Sequence, residues 1–199
     1  MPASRAIRDE EPDVIDDIAF LDDSTRPSAP AIPDATPQHR AHGRRLSLFH
    51  RFHLQQMAAI RQALAALERG AGDAAALAEA VSNMEMIENY RRVGTLCGHE
   101  CQLLTLHHTI EDQEIFPRLR NQSAGLRAVI DRLSQEHEIV HTLLERLEQA
   151  AMALSDTPSS EALADLRTIF DALHKVVASH FGYEEEELAE ALGYYGVPL

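Results

Sequence analysis

The chain has 199 residues, with 32 acidic and 18 basic side chains and a formal net charge of −14. Acidity of this degree, with Lys175 the sole lysine, argues against nucleic acid and anionic membrane surfaces as partners, because both would repel the chain. No apolar run is long enough to cross a bilayer, and no basic stretch followed by an apolar one opens the chain, so a cytoplasmic location is expected.

Residues 1–40 hold six of the nine prolines and nine acidic residues. Outside the small cluster Val14, Ile15, Ile18, Phe20 and Leu21, which could dock on the bundle or on a partner, they carry few apolar side chains, and they are read as a flexible acidic tail with no assigned function and an unknown partner. The remaining residues, 41–199, are one domain of ordinary size, large enough to bury roughly 70% of the surface of its unfolded chain. Helix one is predicted from Gly43 to Arg69, with Gly70 and Gly72 as stops. Asp73 can cap a short helix through Ala80, which leads into helix two. That helix is expected to end at Phe116, because Pro117 lacks a donor and crowds the preceding turn, and Gly94 offers a kink within it. Helix three is placed over residues 125–154 and helix four over residues 160–192, separated by a turn containing Pro158. The closing GYYGVPL is expected to pack its tyrosines against one end. With no strand pattern present, the expected fold is all-α: an up-down four-helix bundle behind a disordered acidic N-terminal tail.

Apolar residues mark one face of each helix at alternating steps of three and four. Helix four reads Leu163, Leu166, Phe170, Leu173, Val177, His180, Glu184, so its last two members take positions where leucine is the usual occupant. Helix three repeats this with Leu126, Ile130, Leu133, His137, Val140, Leu144, Leu147, and helix two with Leu96, Glu100, Leu103, His107, Ile110. Helix one reads Leu46, His50, His53, Met57, Ile60, Leu64, Leu67. Three pairs, His107 with Glu111, His137 with His141 and His180 with Glu184, lie one turn apart. Unpaired imidazoles and carboxylates inside a core would cost a few kcal/mol each. Neutral imidazoles and carboxylates gathered in a bundle are a donor set for iron, and a metal centre would satisfy the whole group at once.

The stretch HHTIEDQEIFP (His107 to Pro117), followed by QEHEIVHTLLERL and SHFGYEEEEL, resembles the hemerythrin family's HHE cation-binding domain over about residues 41–192. The resemblance implies a four-helix bundle around two non-heme iron ions joined by an oxo or hydroxo bridge, reacting with dioxygen or related small oxidants. Carried over by position, His137, His141 and His180 would bind one iron, His50 and His107 the other, and Glu111 and Glu184 would bridge them. Metal chemistry agrees with that division: a carboxylate can span two metals while an imidazole serves one. Five histidines shared unequally leave an open coordination position for a small ligand. The ferritin-like alternative needs Glu-x-x-His on two helices, and only Glu138 to His141 has that spacing.

Several positions keep two readings. His50 and His53 face the same seam, and His50 is taken as the ligand because LFHRFHLQQM matches the family's opening there. Glu184 and Glu185 offer the two fourth-helix spacings found in the family. His108 and Asp112 each follow a ligand by one residue, point about 100° away, and are read as solvent-facing or as supporting the ligands. Glu100 sits in the frame as a buried proton relay or a salt-bridge partner. Cys97 and Cys101 are read as two reduced, buried side chains, since helical geometry strains a disulfide at that spacing. His39, His42, His99 and His174 are read as ordinary polar residues.

Function then falls into three classes. The chain is a diiron redox protein consuming peroxide, nitric oxide or another reactive small molecule, or a non-enzymatic carrier, store or sensor of oxygen or iron, or a structural bundle whose histidines hold zinc or nothing. Seven ligand-type residues exceed what a four-coordinate zinc needs, which disfavours the third. The reading adopted is small-ligand chemistry at an open iron position, with a diatomic molecule or peroxide as the partner.

Overall fold

The computed structural model describes residues 14–70, 77 and 98–199, with the backbone alone at residues 70 and 98–100. Its helices are α1 (Pro37–Gly43), α2 (Leu46–Gly70), α3 (Gly98–Ile110), α4 (Phe116–Arg120), α5 (Ala124–Asp156) and α6 (Ser160–Tyr194), and no strand occurs among the described residues. Serines start the two longest. Ser123 Oγ accepts from Leu126 N–H ahead of α5, and Ser159 Oγ accepts from Ala162 N–H ahead of α6, each satisfying a donor the first turn leaves free.

Every member of the predicted frames of α5 and α6 is buried, from Leu126 to Leu147 and from Leu163 to Glu184. They close two apolar clusters. One joins Met57, Leu64 and Leu67 of α2 with Leu144, Leu147, Leu163 and Phe170. The other joins Leu46, Ile115, Phe116 and Leu119 with Leu126, Ile130, Leu188 and Leu192. Each such side chain removed from water contributes about 2 kcal/mol, so the clusters fix the helices on either side of the histidine layer between them. Among the described residues, no helix is long and apolar enough to cross a membrane.

Three local departures from the expected elements matter for the site. Helix two does not end at Phe116. A π turn over Glu111–Ile115 closes with Phe116 N–H bonded to the Glu111 carbonyl, five residues back, and Pro117 then sits in the first turn of α4. The wide turn removes the conflict that would have stopped an α-helix at proline, and the early position in α4 needs no donor. Residues 14–36, expected within a flexible tail, lie along the bundle as an arm: Val14, Ile15 and Ile18 pack on the first cluster, Ala29 and Ile32 on the second. Within residues 1–40, only 1–13 lie outside the described residues.

The third departure is α1, which was not expected as a separate helix. It begins at a Thr36–His39 capping box with Pro37 in its first turn. It lies close on α6, where a Cβ at Gly43 would strike the Ala189 carbonyl and one at Gly193 the His39 carbonyl. Gly94, Cys97 and the short helix proposed after Asp73 lie outside the described residues, apart from the buried, helical Leu77. Cys101 is disulfide-bonded, which corrects the expectation of a reduced thiol there.

Candidate metal centre

Consecutive residues on an α-helix diverge by about 100°, so only one of His107 and His108 was expected to face the core. The buried face of α3 and the π turn that follows it is Leu104, His108, Glu111 and Ile115, one residue away from the expected Leu103, His107, Ile110. Ile110 is 46% exposed. His107 stays at the edge of the buried face, 12% exposed, and both imidazoles reach the interior. The π turn beginning at Glu111 carries the face on to Phe116 and Leu119, which an uninterrupted α-helix through His107 and Ile110 would not present.

Two groups of donor atoms result, each within 4.8 Å of one another: His50, His107, Glu111 and Glu184 in one, and His108, His137 and His180 in the other. Glu111 connects them, with one oxygen 3.2 Å from His107 Nε2 and the other 3.6 Å from His137 Nε2. Glu184 Oε2 lies 3.3 Å from His50 Nε2 and 4.0 Å from His180 Nε2. His108 stacks on His137 with ring centroids 4.1 Å apart, and Phe181 stacks on His50 at 3.9 Å.

A carboxylate stands behind three of these imidazoles. Glu185 Oε1 lies 2.9 Å from His50 Nδ1, Asp112 Oδ2 lies 3.0 Å from His137 Nδ1, and Glu136 Oε2 lies 3.1 Å from His180 Nδ1. Each carboxylate accepts the Nδ1 proton, which turns the Nε2 lone pair toward the interior and makes it a better donor. Ser134 Oγ donates to the second oxygen of Asp112. Burial works to raise Glu136, but hydrogen bonds from His180, Arg26 and Arg132 outweigh it and hold the carboxyl at about 2.

Burial also decides the interior charges. It drives His107 down to about 3 and His108 well below the usual imidazole range, so both rings are neutral at pH 7. Burial, with the Glu184 charge beside it, pushes the Glu111 carboxyl well above its ordinary value. For Glu184, burial acts upward too, but the His50 imidazole 3.3 Å away outweighs it and brings the carboxyl to about 2. Many atoms here have no hydrogen-bond partner: both oxygens of Glu111 and of Glu184, Nε2 of His50, His107 and His141, and both nitrogens of His108. Buried polar atoms are normally satisfied, and orphans concentrated in one place, with carboxylate oxygens and an imidazole lone pair on each histidine among them, fit a cation.

Six of the seven expected ligands are therefore in the two groups, while His141 lies beside them, its ring 5.7 Å from that of His108. His108 takes the third place near His137 and His180, which the α-helical frame had turned away; the double histidine ahead of Glu111 was its only trace in the sequence. Glu184 faces inward, fully buried, and Glu185 stands behind His50. His53 is buried but belongs to neither group; its ring is 5.2 Å from that of His107. Asp112 backs a ligand-type histidine, as one of its two readings had it. His39 caps α1, and His42 Nε2 meets the Val197 carbonyl at 2.8 Å. Glu100 and His99 are among the residues described by their backbone alone. Glu136 was not singled out, although its spacing from Arg132 gives an i,i+4 ion pair of 2.7 Å.

A helical bundle with a buried layer of imidazoles and carboxylates, backed by further carboxylates and short of partners, defines a cation-binding bundle. The family model for the hemerythrin HHE cation binding domain matches residues 44–192, and the chain belongs to that family. No match was found among curated proteins or among solved structures.

Proposed function

We propose that the chain holds two non-heme iron ions in this layer and binds or reacts with dioxygen, peroxide or nitric oxide at an open coordination position. The observation that carries this reading is the placement of Glu111, whose two oxygens address different donor groups. In this reading His50 and His107 serve one ion, His137 and His180 the other, and Glu111 with Glu184 spans both. His108 supplies the third nitrogen at the second ion, in place of the expected His141. The order in which α2, the α3–α4 segment, α5 and α6 visit the two apolar clusters supports an up-down four-helix arrangement.

Iron would supply the redox chemistry and the open position; the chain supplies the rest. Glu185, Asp112 and Glu136 hold the Nδ1 protons and fix the rings. Phe116, stacked on His137, and Phe181, stacked on His50, are each nearly inaccessible and keep water from the layer. A cleft of about 560 Å³ lined by Phe52, His53, Leu106, His107, Ile110 and Glu111 offers a mostly apolar approach for a small uncharged ligand.

The test is the visible spectrum of anaerobically iron-loaded, reduced protein before and after air, with metal content measured on the same sample. A new band that vanishes on purging supports a reversible oxygen binder or sensor. Rapid, irreversible conversion to a ferric spectrum supports redox turnover. No spectral change with iron bound would overturn the small-ligand reading.

A further inference from the structure

We propose that Arg26, on the arm that precedes the family match, is a positioning residue for the metal centre: together with Arg132 it shares the carboxylate of Glu136 and sets how electron-rich His180 is. The proposal rests on the reading of His180 as a ligand. Arg26 places Nε 2.8 Å from Glu136 Oε1 and Nη2 3.0 Å from Oε2. Arg132 Nε meets Oε1 at 2.7 Å, and His180 Nδ1 meets Oε2 at 3.1 Å. Arg26 and His180 thus donate to the same oxygen.

The arm is built to keep the guanidinium there. Arg26 Nη1 donates to Ser179 Oγ at 2.8 Å, and its guanidinium lies 4.7 Å over the Tyr183 ring. Tyr183 donates to the Pro27 carbonyl at 2.7 Å. Arg132 returns the contact, donating to Thr25 Oγ1 at 3.0 Å and to the Asp22 carbonyl at 2.9 Å. Side-chain exposure is 14% for Arg26 and 4% for Glu136, so solvent screens the pair little.

A lone carboxylate behind an imidazole pulls on the Nδ1 proton and strengthens Nε2 as a donor. Two guanidinium groups on that carboxylate withdraw charge from it and weaken the pull. The arm therefore holds His180 as a moderate donor, and it also places a positive charge one residue away from the iron's ligand. Both effects favour the reduced ion. The arm's share of these contacts, from Asp22 to Pro27, comes from residues ahead of 44, where the family match begins, while Arg132, Glu136, His180 and Tyr183 lie within it.

The experiment is the midpoint potential of the iron-loaded full-length protein, measured for wild type, Arg26→Gln, Arg26→Lys and Arg132→Gln. Losing the charge should shift the potential negative in Arg26→Gln and Arg132→Gln at unchanged iron content. Arg26→Lys, which keeps the charge but not the forked geometry, should stay near wild type. Should Arg26→Gln fail to fold, Arg132→Gln carries the same comparison. Potentials equal to wild type in the Gln variants, or an equal shift in Arg26→Lys, would reduce Arg26 to a structural clamp and overturn the proposal. Wild-type protein that holds no iron would overturn the proposed function as well, so the two failures are distinct.

Discussion

His137 Nε2 and His180 Nε2 face each other at 3.1 Å. Both rings commit Nδ1–H to a carboxylate, Asp112 in one case and Glu136 in the other, so two lone pairs meet across that gap. Only a proton or a cation between them removes the repulsion, and burial disfavours the proton by lowering His180. Loading the metal-free protein with iron(II) should therefore raise its thermal midpoint. Binding at about one hundred times the dissociation constant contributes about 2.7 kcal/mol. An unchanged midpoint in a calorimetric or circular-dichroism melt would speak against a cation in this layer.

The metal-free protein should lose stability in mild acid. Burial pushes His107 down to about 3 in the folded chain against 6.5 for the free side chain, and it holds His108 well below the usual imidazole range. A depressed folded value means that the unfolded chain takes up protons first as pH falls. The stability these rings contribute is present above about pH 6.5 and is lost progressively toward about pH 3. Denaturant midpoints at about pH 7 and about pH 5 check the sign: the lower pH should give the lower midpoint.

Single substitutions separate neighbouring histidines. His50→Ala should remove about one iron per chain and His53→Ala none, because only His50 lies in a donor group. His108→Ala should lower occupancy more than His141→Ala. The reverse order in elemental analysis would return the third nitrogen to His141, where the sequence resemblance put it.

Asp112→Ala leaves every proposed ligand in place but frees the His137 ring to rotate and to change tautomer. Its apparent iron affinity should fall about 10- to 100-fold, the usual loss when a carboxylate behind a metal-bound histidine is removed. A competition titration against a chelator measures this, and an affinity equal to wild type would show that Asp112 does not orient the ring.

Much of this was legible in the sequence because α5 and α6 keep a single helical frame across their whole length, so His137, His180 and Glu184 could be placed by counting from leucines. In α3 the count fails by one residue. The buried positions are already Leu104 and His108 ahead of the π turn, where Leu103 and His107 were counted, and that offset hid His108. The π turn at Glu111–Ile115, which no composition signal announces, let the chain continue through Pro117. The arm was misread for a different reason. Val14, Ile15 and Ile18 do pack on the bundle, but the contacts that place Arg26 and Pro27, to Glu136 and Tyr183, are polar and link residues more than a hundred positions apart. Composition reports apolar burial and is blind to such pairs. Glu136 went unnoticed because it neighbours His137 and so points to a different side, toward α6.

A centre of two ions spanned by Glu111 predicts a definite metal stoichiometry. The most direct measurement is the iron content of protein loaded anaerobically, desalted and analysed against protein concentration, for wild type and for Glu111→Ala. Two irons per chain in the wild type, falling well below two in the variant while helical circular dichroism is retained, is the predicted result. One iron or none in the wild type, or two retained without Glu111, would contradict it.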